Sequence, residues 1–187
     1  MTGPQSPILD ALYHRRHADA ERLAAEAGTL SIWEAAALGY DAAVTQALGA
    51  GQAVNAPAPD GHLPLGLAAF FGRASTVRLL LRHGADVHAA AQNPLKVQPL
   101  HAAVAGRSLE AVTAILEAGG DVNARQQVGY TPLMGAAASG RDDLVALLLR
   151  HGADASLVSD DGKTAADVAR EHQFDSLADR LAAVQTG

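Results

Sequence analysis

The chain of 187 residues contains no cysteine. Disulfides, thiolate nucleophiles and zinc–thiolate sites are therefore outside its chemistry. Aromatic residues make up only 4%, too few for the tyrosine-, phenylalanine- and valine-rich interior of a β-sandwich, so a core of alanine and leucine in closely packed helices is expected. Positive charge is scarce as well: 14 Lys and Arg stand against 20 Asp and Glu, a formal net charge of −6. Phosphate backbones and anionic lipids need a positive field that such a chain does not supply, which argues against nucleic acid and membrane surfaces as partners. No apolar run approaches the ~18 residues of a spanning helix. The start, "MTGPQSPILDALYHRR", lacks a cationic head followed by an apolar stretch, so no signal peptide is read there and a cytoplasmic location is expected.

Catalytic signatures are missing too. There is no strained Gly-x-Ser-x-Gly turn, and no glycine-rich loop of the dinucleotide or Walker type. Hydrophobic content is nevertheless 49% with a mean hydropathy of +0.06, a globular composition able to bury a core.

What the chain does contain is a repeat. "HGAD" stands at 83–86 and again at 151–154, with "AGGD" at 118–121. With Gly51, these set glycines at 51, 84, 119 and 152, in steps of 33, 35 and 33. "LPLGLAAFFG" (63–72), "QPLHAAVAGR" (98–107) and "TPLMGAAASG" (131–140) fall on one register, and the divergent "LSIWEAAALG" (30–39) and "TAADVAREHQ" (164–173) are placed on it. Within a unit, Thr131 can cap a helix with its hydroxyl, Pro132 suits the first helical position, and Gly140 can end the helix left-handed. Ala136 and Ala137 allow close approach of neighbours. "RDDLVALLLRHGA" then reads as a second helix with Leu144, Val145, Leu148 and Leu149 facing inward. "DG" pairs at 60–61 and 161–162 mark turns between units. One helix pair cannot bury its own apolar face, so the units must stack.

This pattern resembles the ankyrin repeat family, with its 33-residue period and T-P-L-H-x-A signature. The resemblance runs from residue 30 to about 183 and implies an all-α fold: an ankyrin-repeat solenoid of stacked helix-turn-helix units with short β-hairpin-like turns. The expected layout is a single domain, 1–187, with a disordered start (1–7) and a helical cap (8–29). Repeats follow at 30–59, 60–92, 93–127 and 128–160, then a polar C-terminal capping repeat at 161–184. The signature histidine survives only as His101, its slots elsewhere holding Trp33, Gly66, Met134 and Asp167, so most of that histidine's hydrogen bonds to neighbouring turns should be missing. Gly66 and Gly135 inside helices each cost roughly 0.5–1 kcal/mol relative to alanine.

The resemblance also implies function: a non-catalytic protein–protein interaction module, not an enzyme, without cofactor or metal, and a monomer that binds a protein partner through its concave groove and turn tips. In the family, the two positions after the Ala-Ala pair commonly face that groove. Here they hold Phe70 and Phe71, which on a helix point about 100° apart, so one can pack against the next repeat while the other stays on the groove. The tips carry His62, then Gln127, Val128 and Tyr130, and Lys163. The tip "AAAQNPLKVQ" (89–98) is two residues longer than the others, lacks a turn glycine, and is expected to expose Leu95 and Val97. Two competing readings remain. One is a metal-dependent enzyme using His14 and His17 on a shared helix face with Asp10, against which stands an ordinary polar cap helix. The other is a small-molecule sensor. His83 and His151 are expected at helix ends, Asp160-Asp161-Gly162 as a turn, Arg73, Arg78 and Arg82 as a solvated outer stripe, and Trp33 as filler at the cap junction.

Overall fold

The computed structural model describes residues 6–185. It is built from twelve α-helices among those residues, and no strand occurs among them. The helices come in six antiparallel pairs: α1 (Pro7–Tyr13) with α2 (His17–Glu26), α3 (Ile32–Leu38) with α4 (Asp41–Gly49), α5 (Pro64–Phe70) with α6 (Ala74–Arg82), α7 (Pro99–Ala105) with α8 (Leu109–Glu117), α9 (Pro132–Ala138) with α10 (Asp142–Arg150), and α11 (Ala165–Glu171) with α12 (Asp175–Gln185). Odd-numbered helices form an inner layer in which α3, α5, α7, α9 and α11 pack in chain order, and even-numbered helices form the outer layer.

Each inner helix is seven residues long. A helix that short is marginal alone, and its ends are therefore fixed by caps and its sides by neighbours. Ser31, Thr131 and Thr164 each accept a hydrogen bond from the third helical N–H, while Glu34, Met134 and Asp167 reach back to the cap's own N–H. Pro64, Pro99 and Pro132 supply the preset φ of a first helical residue. Ala35, Ala36, Ala68, Ala69, Ala103, Ala136 and Ala137 are fully buried, as expected where small side chains let helices approach closely. In the outer layer, Leu144, Val145 and Leu148 face inward as expected; Leu147 is buried as well, and Leu149 is only half-buried.

The core is nearly continuous from Ile32 to Leu181. A second cluster, Ile8, Leu9, Ala11, Leu12 and Ala20 with Ala37, Leu38, Ala58 and Leu67, joins the first helix pair to the stack. Trp33 packs against both clusters, the junction role expected of it.

Three expectations need correction. The disordered start of 1–7 lies outside the described residues for 1–5. Ser6 and Pro7, however, belong to the cap of α1, where Ser6 Oγ donates to Glu34 Oε1 at 2.6 Å and accepts from the Leu9 N–H. In the first full unit the structural cap is Ser31 rather than Leu30, so the signature slot holds Glu34, not Trp33. The shift arises because one residue is missing between α3 and α4, where Gly39 turns the chain at φ 84°. Finally, His14 and His17 do not share a helix: α1 ends at Tyr13, Arg15 adopts a left-handed φ of 57°, and His17 begins α2.

Candidate functional site: the inner face and the turn tips

Between pairs, the chain runs out into a tip closed by a backbone bond: Ala58 N–H to the His62 carbonyl, Ala91 to Val97, Gln126 to Tyr130, and Ser159 to Lys163. Gly61, Gly129 and Gly162 sit one residue before the closing position, each with positive φ. In the lengthened tip that place is taken by Lys96 at φ 47°, so the missing glycine is replaced by a strained lysine. The next tip carries a second departure. Val128, where the first and last tips have Asp60 and Asp161, lies at φ 58°, a left-handed conformation that β-branched residues avoid.

The lengthened tip is stitched to its predecessor. Gln92 N–H donates to the Gly61 carbonyl at 2.7 Å, and Asn93 Nδ2 donates to the Asp60 carbonyl at 3.1 Å and meets His62 Nε2 at 3.3 Å. The last two tips are joined likewise, by Asp160 N–H to the Val128 carbonyl and by the Arg125–Asp160 ion pair. Among the described residues no backbone hydrogen bond joins the second tip to the third. There a cavity of about 280 Å³ opens on the inner face, walled by Tyr13, His62, Phe70, Leu95, Val97 and Gln126 over a floor from α5 and α7. A smaller cavity of about 140 Å³ adjoins it, sharing His101, Ala105 and Gln126 and extending to Tyr130 and Pro132.

The structure separates the two phenylalanines. Phe70 is 41% exposed and lines the cavity, whereas Phe71 is half-buried against the N-terminal cluster. Their rings meet edge to face at 5.2 Å, and Tyr13 lies 6.3 Å from Phe70 and 5.5 Å from Phe71. The Tyr13 hydroxyl donates to Asp60 Oδ2 at 2.9 Å; burial first, and then the Asp60 carboxylate, push its pKa up. Sequence reasoning missed Tyr13 and Gln126 as wall residues. Tyr13 belongs to a cap that carries no repeat register, and Gln126 precedes the tip residues that were singled out.

The remaining tip residues divide by burial. Leu95 is 53% and Val128 60% exposed, and Gln127 is exposed too. Val97, expected to be exposed, is instead half-buried: it closes its tip and packs on the core while lining the cavity. His62 and Tyr130 are half-buried. Lys163 is held by Asp161 at 3.1 Å and Glu171 at 2.7 Å.

Like the helix cap Thr131, His101 is a buried polar group of this face. Its Nε2 lies 3.1 Å from the Tyr130 carbonyl, which can only accept, so that nitrogen carries the proton and links α7 to the next tip. Burial holds its pKa below the ordinary histidine value, against the opposing pull of the Tyr130 and Ala124 carbonyls and Asp121. Nδ1 of His101 and Oε1 of Gln126 are buried without a hydrogen-bond partner. At the other capped inner helices the equivalent side chains, Glu34, Met134 and Asp167, turn back to cap their own helix rather than reach the next unit.

Elsewhere the polar residues have structural roles. His83 and His151 are C-caps of α6 and α10, and Asp160-Asp161-Gly162 forms a turn. Arg78 and Arg82 are exposed, but Arg73 crosses to the preceding unit and donates to the Ala37 carbonyl at 3.1 Å. His14 folds back on Asp10, whose carboxylate also receives Arg16. Among the described residues no group of three metal-ligating side chains converges, and no helix is long and apolar enough to cross a membrane.

Comparison with known proteins agrees with the repeat. The family model described as ankyrin repeats (3 copies) matches residues 32–126 and 100–183. Neurogenic locus notch homolog protein 2 of Homo sapiens is 41% identical over 107 residues, 56% of this chain but 4% of that protein. Ankyrin repeat and SOCS box protein 16 of Mus musculus is 40% identical over 114 residues, 57% of this chain and 25% of its own length. Protein phosphatase 1 regulatory subunit 27 of Homo sapiens is 34% identical over 76 residues, 41% of this chain and 49% of that protein. The chain thus spans half or less of the length of these relatives.

Proposed function

The chain belongs to the ankyrin repeat family, whose repeats are generally protein–protein interaction modules, and from that premise we propose that it acts by binding a protein partner along its inner face and tips, without catalysis. The partner surface runs over units two to four and includes His62, Phe70, Leu95, Val97, Gln127, Val128 and Tyr130, with Phe71 supporting Phe70 from behind. The observation that carries this reading is apolar bulk left in solvent where stacking does not need it: Phe70 and Leu95 flank a cavity at the gap between the second and third tips, and Val128 stands on the next tip. Interfaces draw most of their energy from a few such anchors, often about 2 kcal/mol or more apiece.

The test is affinity capture with crosslinking from the native organism. Phe70→Ala with Tyr130→Ala is expected to weaken capture at least ~10-fold, since about 1.4 kcal/mol already gives that factor, while leaving the helical spectrum intact. A double variant that stays folded and captures undiminished refutes the surface.

A further inference from the structure

The proposed partner surface leaves open what enters the cavity, and the wall chemistry narrows it. Neither this cavity nor its smaller neighbour has an aspartate, glutamate, lysine or arginine in its wall. A charged side chain entering would lose its hydration with no counter-charge in the wall, and the Asp60 carboxylate behind Tyr13 already accepts from the Tyr13 hydroxyl and the His62 N–H. His101 is a poor counter-charge, because its Nε2 proton is donated to the Tyr130 carbonyl and burial lowers its pKa, disfavouring the charged form. Size is not limiting. An apolar void of roughly 150 Å³ holds a benzene ring, so about 280 Å³ has room for a leucine or phenylalanine side chain. The second cavity, about 140 Å³, has room for an aliphatic side chain of leucine size.

The junction of the two cavities adds a polar requirement. Gln126 lines both, and its Oε1 is a buried acceptor with no donor. Leaving such an atom unpaired is unfavourable. Its terminal torsion is broad, so the amide can turn that oxygen toward an incoming N–H. Alternate side chains of an extended segment lie on one face about 6.4–6.8 Å apart, with a backbone N–H between them.

We infer that the slot between the second and third tips takes an extended, uncharged stretch of a protein partner. Two apolar side chains spaced two residues apart fill the adjoining cavities, and a main-chain N–H between them donates to Gln126. This rests on the proposed function and specifies the partner's chemistry.

The test uses the full chain and short synthetic probes. One is a blocked pentapeptide with leucine at its second and fourth positions and glycine elsewhere; two others carry arginine or glutamate at those positions. Amide ¹H–¹⁵N spectra are followed during titration. The leucine probe is expected to give saturable shifts centred on Phe70, Val97, Ala105 and Gln126, with affinity at least tenfold above either charged probe. Ala105 is exposed and borders both cavities, so Ala105→Trp should fill the slot and abolish the shifts while the rest of the spectrum is retained. Ala105→Arg, placing a charge there, should do the same and serves if the tryptophan variant does not fold. Equal or tighter binding of the arginine probe overturns the inference, as do shifts centred on the outer helices or no saturable response to leucine. In those cases partner capture separates the two readings. If Phe70→Ala with Tyr130→Ala still weakens capture, the surface stands and only the slot's chemistry is wrong; if capture is undiminished, both fall.

Discussion

At the scale of single residues, two glycines of the inner face carry opposite consequences. Gly66 lies inside α5 with no atom within 4 Å of where a Cβ would stand. Gly66→Ala should therefore raise stability by about 0.5–1 kcal/mol, since it lowers the entropy of the unfolded chain at no steric cost. Gly106 sits against the carbonyls of Phe70 and Ala69, and a Cβ there would collide with backbone. Gly106→Ala should lower stability by about 1–3 kcal/mol, the usual range for overpacking. Urea denaturation of the two variants side by side reads both signs. His101 carries a pH consequence. Its folded pKa is lowered by burial, so its share of stability is complete above the unfolded value of about 6.5. It is lost as pH falls from there through the folded value, because the unfolded chain takes up the proton first. Between pH 7 and 5 the wild type should lose stability more steeply than His101→Gln, as chemical denaturation at each pH would show. A steeper curve for the variant would contradict the assignment.

At the scale of elements, the six pairs are not equally secured. The outer helix α2 buries only Ala20, and its N-cap residue, Arg16, makes no side-chain capping bond. By contrast α8 buries Ala111, Val112, Ala114, Ile115 and Leu116 and is capped by Ser108. Opening free energies follow such differences in buried apolar contact. Hydrogen exchange of the intact chain should therefore find the amides of α2 among the least protected in the helices, and those of α7 and α8 among the most. Protection of α2 equal to α8 would mean that the cap is held by something other than the contacts described.

At the scale of the whole molecule, each pair contacts mainly its neighbours, so stability is close to a sum of unit and interface contributions along one axis. Leu148 is fully buried in α10 within the core that runs through the stack. Leu148→Ala should cost about 2–5 kcal/mol, measured as a fall in the denaturation midpoint. It should also reduce partner capture only through loss of fold, in contrast to Phe70→Ala. The two variants thus distinguish a side chain that holds the stack from one that the stack displays.

The 33-residue register, the Thr131-Pro132 start and the Ala-Ala pairs determined helices, their order and the stacking, because capping and small-residue packing are set by local chemistry and period. The slip of one residue in the first unit escaped that reasoning, since "LSIW" and "SIWE" fit the pattern about equally and only the Ser31–Glu34 hydrogen bonds distinguish them. The phenylalanines are the clearer case. Periodicity established that Phe70 and Phe71 must diverge, but which faces the groove depended on the N-terminal cap, whose Tyr13 has no repeat partner to align with. Nor could the sequence show that Val97 folds under its own tip while Leu95 does not. The cavity lies where a five-residue tip leans on its predecessor through Gln92 and Asn93 while, among the described residues, no backbone hydrogen bond joins it to the following tip. That is a relation between segments some thirty residues apart. Local sequence determined each unit, whereas the spacing between units, and with it the slot, was decided only by how neighbouring tips hydrogen-bond once the stack has formed.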